Sequence, residues 1–389
     1  MSLSIDLPDE TGAVAPYLLS GTPVAVPEGP HRFDRIAFSA AHVVADPFSP
    51  VEPGVGPAIH WDATLAFRRH LLDLGLGIAE AMDTAQRGMG LDWNGARELI
   101  RRSLEAAEPA ERDRIFSGVG TDHLAPEAAR SLDDVAAAYL EQLEAVQGLG
   151  GRMILMASRA LARVARGPED YADVYGRVLA AADAPVILHW LGPMFDPALA
   201  GYWGGDAFEA TMETALGVIS ENAAKVDGVK ISLLDAEKEV VMRRRLPAGV
   251  KMYTGDDFNY PALIRGDAQG FSHALLGVFD PIAPSASAAL AALARGDEAA
   301  YERILAPTVP LSRHIFRAPT RYYKTGVVFL AWLNGWQEHF VMVGGAQAMR
   351  PLPYFTELFR LADAAGLLQD PEMAVARMRR LLAVYGVAA

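Results

Sequence analysis

The chain has 389 residues, of which 51 % are hydrophobic and 21 % are charged, a composition that suits a globular protein with a large core. Its formal net charge of −13 argues against a general nucleic-acid binder, because phosphate binding requires a basic surface. The absence of cysteine excludes disulfides, thiolate nucleophiles and cysteine metal sites.

The amino-terminal segment does not have the pattern of a secretory signal. Residues 1–28 carry Asp6, Asp9 and Glu10 and lack a basic region followed by an apolar core. The longest strongly apolar run, Val327 to Leu333, is far shorter than the roughly 20 residues that span a bilayer. We therefore expect a cytoplasmic protein without a membrane partner.

From about residue 31 onwards, a β-prone apolar run, a turn and an amphipathic helical stretch follow one another eight times. Met153–Met156 and Pro185–Leu188 are uniformly apolar, as is typical of parallel strands buried on both faces. The predicted strands are Arg35–Ser39, Gly77–Met82, Arg114–Gly118, Arg152–Ala157, Pro185–His189, Asp227–Ser232, Val250–Thr254 and Gly270–Ala274. The predicted helices lie near residues 62–74, 92–106, 131–146, 168–182, 206–223, 233–246, 258–266 and 283–296.

Eight strand–helix units over about 260 residues predict an α/β fold, a (β/α)8 TIM barrel with a helical C-terminal extension. An open doubly wound sheet is the alternative, but no Gly-x-Gly-x-x-Gly motif opens a helix after the first strand. The predicted domains are an amino-terminal arm (1–30), the barrel (31–296) and the helical extension (297–389). Apolar helices in the extension indicate association into a homo-oligomer.

Polar side chains gather where the predicted strands end, which is where barrel enzymes place their chemistry. We therefore expect a pocket for a polar small molecule at this end of the barrel. Arg159 is followed at helical spacing by Arg163 and Arg166, which either bind a carboxylate or phosphate or form a solvated basic face. The strand-end residues are His42, Asp83, Thr84, Asp122, His123, Ser158, Arg159, His189, Asp256, Asp257, Ser272 and His273, and Lys230 lies within the sixth strand.

Lys230 is one of only five lysines in a chain whose positive charge is mostly arginine. A lysine buried between apolar residues such as Val229 and Ile231 can lose its proton and become a nucleophile toward a ketone or aldehyde. This requires its pKa to fall by roughly 3 units, at a cost of about 4 kcal/mol. The alternative is a lysine whose ammonium reaches water along an apolar stem.

A divalent metal held by strand-end donors is a second chemistry, as in barrel isomerases. The spacing contains no His-x-His or His-Glu-x-x-His motif, and each histidine taken alone also fits a structural role or a substrate contact. The donors available for such a site are His42, Glu80, Asp83, Asp122, His123, His189 and Asp256.

Three segments together resemble the dihydrodipicolinate synthase and N-acetylneuraminate lyase superfamily. These segments are Val226-Asp-Gly-Val-Lys230-Ile-Ser232, Tyr253-Thr-Gly255-Asp256-Asp257 and the stretch from Gly270 to Pro281. Their order and spacing are similar to the superfamily's Gly-x-Lys strand, its Gly-Asp-Asp-like turn and its eighth strand. In the amino-terminal half, Ala45–Phe48 and Met82–Gln86 are similar to its Thr-Pro-Phe turn and its Gly-Thr-Thr-Gly-Glu loop.

The resemblance implies that Lys230 forms a Schiff base and that Asp83 and Thr84 contact the substrate. His189 stands where the superfamily has a proton-transferring tyrosine, so it is expected to be the acid/base of a divergent, uncharacterised branch. Further expected substrate contacts are His123, Arg159, Asp256, Ser272 and His273.

The leading interpretation is a class I lyase or hydro-lyase for a small oxo acid or keto-sugar, without a cofactor or metal. The alternatives are a metal-dependent sugar isomerase or epimerase and a barrel that binds a ligand without catalysis.

Overall fold

The computed structural model describes residues 3–25 and 31–387. The chain divides into two compact units. One consists of residues 35–41 and 76–277, and the other contains the described residues among 1–34, 42–75 and 278–389. The domain boundaries predicted near residues 30 and 296 stay a prediction.

Strands and helices alternate through most of the chain. The strands are β1 (Ser4–Pro8), β2 (Val14–Leu18), β3 (Ala37–Ala40), β4 (Gly77–Glu80), β5 (Ile115–Val119), β6 (Arg152–Leu155), β7 (Val186–Leu191), β8 (Val226–Ser232), β9 (Lys251–Thr254) and β10 (His273–Leu276). The longer helices are α1 (Trp61–Asp73), α2 (Trp93–Ala106), α3 (Leu132–Gly148), α4 (Arg159–Val164), α5 (Pro168–Ala181), α6 (Phe208–Glu221), α7 (Ala236–Arg243), α8 (Tyr260–Arg265), α9 (Ala283–Ala294), α10 (Glu298–Leu305), α11 (Thr308–Ile315), α12 (Tyr323–Leu333), α13 (Leu352–Ala364) and α14 (Pro371–Val384).

The unit formed by residues 35–41 and 76–277 contains a closed barrel of eight parallel strands. The strands follow one another around the barrel in chain order from β3 to β10, and β10 pairs with β3 to close it. This confirms the predicted (β/α)8 barrel and overturns the open doubly wound alternative. Each predicted strand overlaps an observed one, because strands that are buried on both faces carry a short, uniformly apolar run.

The eighth strand begins later than predicted. Gly270–Ala274 was expected, whereas β10 runs from His273 to Leu276. The preceding residues form a turn in which Gly266 and Gly270 have φ angles of 83° and 135°, and Asp267 bridges to Gly270. These positive φ angles favour glycine and are incompatible with a strand. His273 therefore lies at the amino end of its strand.

The barrel interior is filled by side chains from alternate positions of its strands. The Phe38 ring lies 5.0 Å from Phe116 and 5.9 Å from Tyr253, measured between ring centroids. Ile154 and Ile187 belong to the same buried cluster. A packed apolar interior of this kind places any polar side chain on its inward face in surroundings with little water.

The other unit begins with a hairpin of β1 and β2, where the sequence predicted only a loosely packed arm. Ile5 and Leu7 alternate with exposed residues and are buried. The Tyr17 hydroxyl donates to Asp363 Oδ2 over 2.8 Å, which holds the hairpin against α13.

The described chain after β10 contains helices and no further strand. Within that part of the chain, the helices are all too short or too polar to cross a membrane.

Candidate functional site

Lys230 lies on the inward face of β8. It is in register with His189 of β7 on one side and Tyr253 of β9 on the other, and Tyr253 belongs to the interior cluster. In-register neighbours in a parallel sheet project to the same face, so the three side chains share one level of the barrel. Only 8 % of the Lys230 surface is exposed to solvent.

The chain makes room for the Lys230 stem by omitting a side chain on β9's continuation. A Cβ added to Gly255 would lie 2.6 Å from the Ile231 carbonyl oxygen and 2.7 Å from Cε of Lys230, and it would also collide with Ser232 Oγ. The backbone of β8 cannot move aside as a side chain can, so its close approach requires glycine here, and the same space accommodates the lysine stem.

Burial lowers the pKa of the Lys230 ammonium below its ordinary value of 10.5, because the charged form loses its hydration. The carboxylates of Asp257 and Asp83 act in the opposite direction. Val229 and Ile231 on either side are 1 % exposed. The Lys230 side chain is thus buried rather than extended into water, and its lowered pKa leaves a larger fraction of neutral amine at a given pH than in an ordinary lysine.

His189 is the polar neighbour of Lys230 across the β7–β8 pair. It is 1 % exposed, and its Nε2 lies 3.2 Å from the Ser232 hydroxyl. Burial, followed by the positive charge of Lys230, lowers the pKa of His189 well below its ordinary value. The imidazole is therefore neutral at physiological pH and has a lone pair with which it can accept a proton.

A cavity opens beside these residues within the barrel unit. It has about 650 Å³ of space, part of which is open solvent. His189 and Asp83 line it, whereas Lys230 is not one of its lining residues. The charged residues of the lining are Asp83, Arg87, Asp122, Arg159 and Asp196.

Arg87 is a residue of the cavity that the sequence reasoning missed. Its guanidinium donates to both oxygens of Asp122 over 2.8 and 2.7 Å and to Gln142 over 2.7 Å. It also donates to the carbonyls of Ala81 and Gly118 over 3.1 and 3.0 Å. These bonds use all five of its N–H groups and join the segments that follow β4 and β5 to α3. Its position in the predicted loop after the second strand was the available signal.

Burial and the contacts with Arg87 both change the pKa of the Asp122 carboxyl. Burial works to raise its pKa, but the charge and hydrogen bonds of Arg87 outweigh burial and lower it below its ordinary value. Asp122 is therefore a fixed anion with a fixed partner.

Arg159, the first residue of α4, also lines the cavity. Its Nε donates to Asp196 Oδ2 over 2.5 Å, so its charge is balanced by a neighbouring carboxylate. Asp83 lines the cavity from the turn after β4, and its charge acts on Lys230. The structure thus brings together His189, Asp83 and Arg159 around the cavity, with Lys230 adjacent to His189.

The remaining predicted contacts lie elsewhere. Thr84 is buried in the turn after β4 and is absent from the cavity lining. His123 faces Gln142 and Glu141, at 2.8 and 3.3 Å. Asp256 caps its own turn, with Oδ1 accepting from the Phe258 and Asn259 amides. None of these three side chains borders the cavity.

Ser272 and His273 occupy the amino end of β10. The Ser272 hydroxyl donates to Glu239 Oε1 over 2.6 Å, toward α7 and away from the cavity lining. His273 Nδ1 accepts from the Ile36 amide over 3.0 Å, and its ring lies 5.5 Å from that of Tyr253. The late start of β10 explains both positions, since the prediction had placed these residues near the strand's carboxyl end.

A cluster of buried hydroxyl groups supports one wall of the cavity. Thr121 Oγ1 lies 2.6 Å from Ser158 Oγ, and the Ser158 amide donates to the Tyr202 hydroxyl over 3.1 Å. The Tyr202 and Tyr175 hydroxyls are 2.9 Å apart. Sequence reasoning missed this cluster, because its four members come from four separate segments.

Replacing Tyr202 with phenylalanine is expected to lower the free energy of unfolding by about 1–3 kcal/mol, because a buried amide and a buried hydroxyl lose their partner. Denaturant unfolding followed by circular dichroism measures this change. Tyr385, which is 44 % exposed, provides the control Tyr385→Phe, with an expected change below about 0.5 kcal/mol. Equal stabilities of the two variants would contradict the assignment.

No three His, Cys, Asp or Glu side chains within residues 3–25 and 31–387 form a group that could hold a metal ion. Two of the predicted donors have other partners. His42 Nδ1 is bound to Asp280 over 2.8 Å, and Asp122 is bound to Arg87. The metal-dependent alternative therefore has no donor set in the described part of the chain.

A family model described as "Protein of unknown function (DUF993)" matches residues 5–387. The chain belongs to this family. The description of this family names no activity. The activity of this chain is therefore inferred from its site. No curated protein matches the chain in sequence.

Solved structures of dihydrodipicolinate synthases have the same fold as this DUF993 protein. The structure from Acinetobacter baumannii, complexed with pyruvate, has a TM-score of 0.62 at 15 % identity, covering 86 % of this chain and 99 % of its own. Those from Thermotoga maritima (0.61, 16 %, 87 % and 100 %) and Aquifex aeolicus (0.59, 13 %, 91 % and 98 %) are similar. The resemblance to this superfamily is confirmed at the level of the fold.

Proposed function

We propose that this protein is an imine-forming lyase or hydro-lyase of the class I type, acting on a small oxo acid or a keto-sugar. Lys230 is the nucleophile and His189 is the acid/base. The observation that carries the proposal is a buried lysine with a lowered pKa beside a buried neutral histidine in adjacent strands of the closed barrel. The fold shared with dihydrodipicolinate synthases, one of them complexed with pyruvate, supports this chemistry.

The first step is imine formation. The neutral Nζ of Lys230 attacks the substrate's carbonyl carbon, and the carbonyl oxygen leaves as water after proton transfer, so that a protonated imine remains. Burial assists because it keeps a larger fraction of the amine neutral.

The second step breaks the bond. In carbon–carbon cleavage, neutral His189 takes the proton of the β-hydroxyl, the aldehyde product leaves, and the bonding electron pair moves into the imine to give an enamine. In dehydration, His189 takes the α-proton to give the enamine and then gives that proton to the β-hydroxyl, which leaves as water while the enamine electron pair forms a carbon–carbon double bond conjugated to the imine. The histidine then returns its proton to the enamine carbon where the reaction requires it, and water hydrolyses the imine to release Lys230.

Asp83 and Arg159 are the proposed substrate contacts, because both line the cavity next to His189. The other residues predicted as contacts are left out of this proposal, since they do not border the cavity. A cytoplasmic location and association into a homo-oligomer remain part of the proposal as predictions.

The proposal is tested by reduction with cyanoborohydride in the presence of a panel of oxo acids and keto-sugars, followed by peptide mass analysis. A reduced adduct is expected on the peptide that contains Lys230. The four other lysines, Lys225, Lys238, Lys251 and Lys324, serve as internal controls and are expected to stay unmodified under the same brief exposure. An active substrate that leaves Lys230 unmodified would overturn the proposal.

A further inference from the structure

The charges around the cavity distinguish between the two substrate classes named above. Its lining contains three carboxylates and two guanidiniums. His189 adds no positive charge, since its imidazole is neutral. The lining therefore carries one more negative than positive charge, before any substrate enters.

Each guanidinium already has a carboxylate partner. Arg87 has committed all five N–H groups to Asp122, Gln142 and two backbone carbonyls. Arg159 is held against Asp196 at 2.5 Å. A substrate carboxylate or phosphate at Arg159 would have to lie beside the Asp196 carboxylate, and like charges at that separation repel.

Asp83 offers the opposite kind of contact. Its carboxylate accepts no hydrogen bond from the residues that the structure describes, and it lies at the cavity surface close enough for its charge to act on Lys230. An ionised carboxylate has only acceptor sites, so its natural partners are the hydroxyl groups of a ligand.

We infer that the substrate is a neutral polyhydroxylated ketone or aldehyde, a sugar-like molecule without a carboxylate or phosphate, whose hydroxyl groups are bound by Asp83. This inference rests on the proposed function, because it assumes that the carbonyl carbon reacts with Lys230. Such a substrate differs from a 2-oxo acid, whose carboxylate an enzyme can bind through a free cation.

The test compares three-carbon ketones that differ in charge. Purified protein is reduced with cyanoborohydride in the presence of pyruvate, hydroxyacetone or dihydroxyacetone, and the rate of adduct formation at Lys230 is measured by peptide mass analysis. Each rate is divided by the rate for free Nα-acetyl-lysine, which removes the intrinsic reactivity of the carbonyl. The normalised rate for dihydroxyacetone is expected to exceed that for pyruvate by roughly tenfold or more.

Two variants identify the groups responsible. Asp83→Asn is expected to lower the dihydroxyacetone-to-pyruvate ratio several-fold. The ratio is the correct measure, because loss of the Asp83 charge changes the Lys230 pKa and so affects both rates equally. Asp196→Asn, which releases Arg159, is expected to lower the ratio by accelerating pyruvate. Glu213→Gln removes the same charge from an exposed pair with Arg245 and is the matched control, with an unchanged ratio.

A pyruvate rate equal to or above that of dihydroxyacetone in the wild-type protein would overturn the inference and leave the imine chemistry standing. An Asp83→Asn ratio equal to that of Glu213→Gln would overturn the role of Asp83. If none of the three ketones modifies Lys230, the inference fails, and the proposed function fails with it when the wider panel of oxo acids and keto-sugars also leaves Lys230 unmodified.

Discussion

Replacing Lys230 with methionine is expected to abolish imine trapping and to lower turnover by at least about a thousandfold, because none of the cavity-lining side chains carries an amine that could form the imine in its place. Methionine has a similar length and no charge, so β8 is expected to remain packed between Val229 and Ile231. The measurement is turnover of whichever carbonyl compound labels the wild-type protein. Lys238, which is paired with Asp235 over 3.1 Å on the surface, gives the matched control Lys238→Met.

The pH dependence of trapping adds a second readout to the same comparison. Because burial lowers the Lys230 pKa, the rate of imine formation is expected to rise with pH and to level off below pH 10.5, the ordinary value for lysine. Free Nα-acetyl-lysine is expected to keep rising to higher pH. Turnover that survives in Lys230→Met, or a wild-type profile that follows the free amine, would contradict the assignment.

Glu239→Gln is expected to stabilise the protein increasingly as pH rises. Burial raises the pKa of Glu239 from 4.5 to about 8, with smaller contributions from its neighbours. Between these two values the folded state holds a proton that the unfolded chain has lost, so this residue lowers the free energy of unfolding by about 1.4 kcal/mol per pH unit. Its stabilising contribution is complete below pH 4.5 and is lost as pH rises through 8.

Glutamine is neutral at every pH and can still accept from the Ser272 hydroxyl through Oε1. The difference in unfolding free energy between Glu239→Gln and the wild type is therefore expected to grow by about 3 kcal/mol from pH 5 to pH 7.5. Urea unfolding at several pH values measures it. The exposed neighbour Glu237 gives the control Glu237→Gln, which is expected to follow the wild type. A pH-independent difference would show that Glu239 is ionised in the fold.

The barrel was predictable because its signals are local. Each parallel strand carries a short apolar run, and helix starts such as Ser131 before α3 carry side chains that cap the first turn. The one displaced strand, β10, follows two glycines whose positive φ angles are not visible in the residue pattern. That displacement explains why Ser272 and His273 were expected at the site, since a short slip along a strand moves side chains to another level and face.

The pair at the centre of the site was predictable for a different reason. Lys230 and His189 lie within predicted strands, so strand order alone brings them together. Arg87, Asp122 and Gln142 come from two loops and a helix, and no sequence spacing relates them. Their contacts depend on how the loops fold over the strand ends, and the pattern of each strand taken alone does not predict this. The hydroxyl cluster around Tyr202 was missed for the same reason, because its members also come from separate segments.

The glycine at position 255 supplies a criterion for choosing which other proteins to test. A side chain there would occupy the volume that the Lys230 stem now fills. A DUF993 protein with alanine or a larger residue at this position would have to move the Ile231 carbonyl at the end of β8 as well as the lysine stem, even if the lysine itself is present. Examining positions 230 and 255 together would therefore select family members for the imine assay better than looking for the lysine alone.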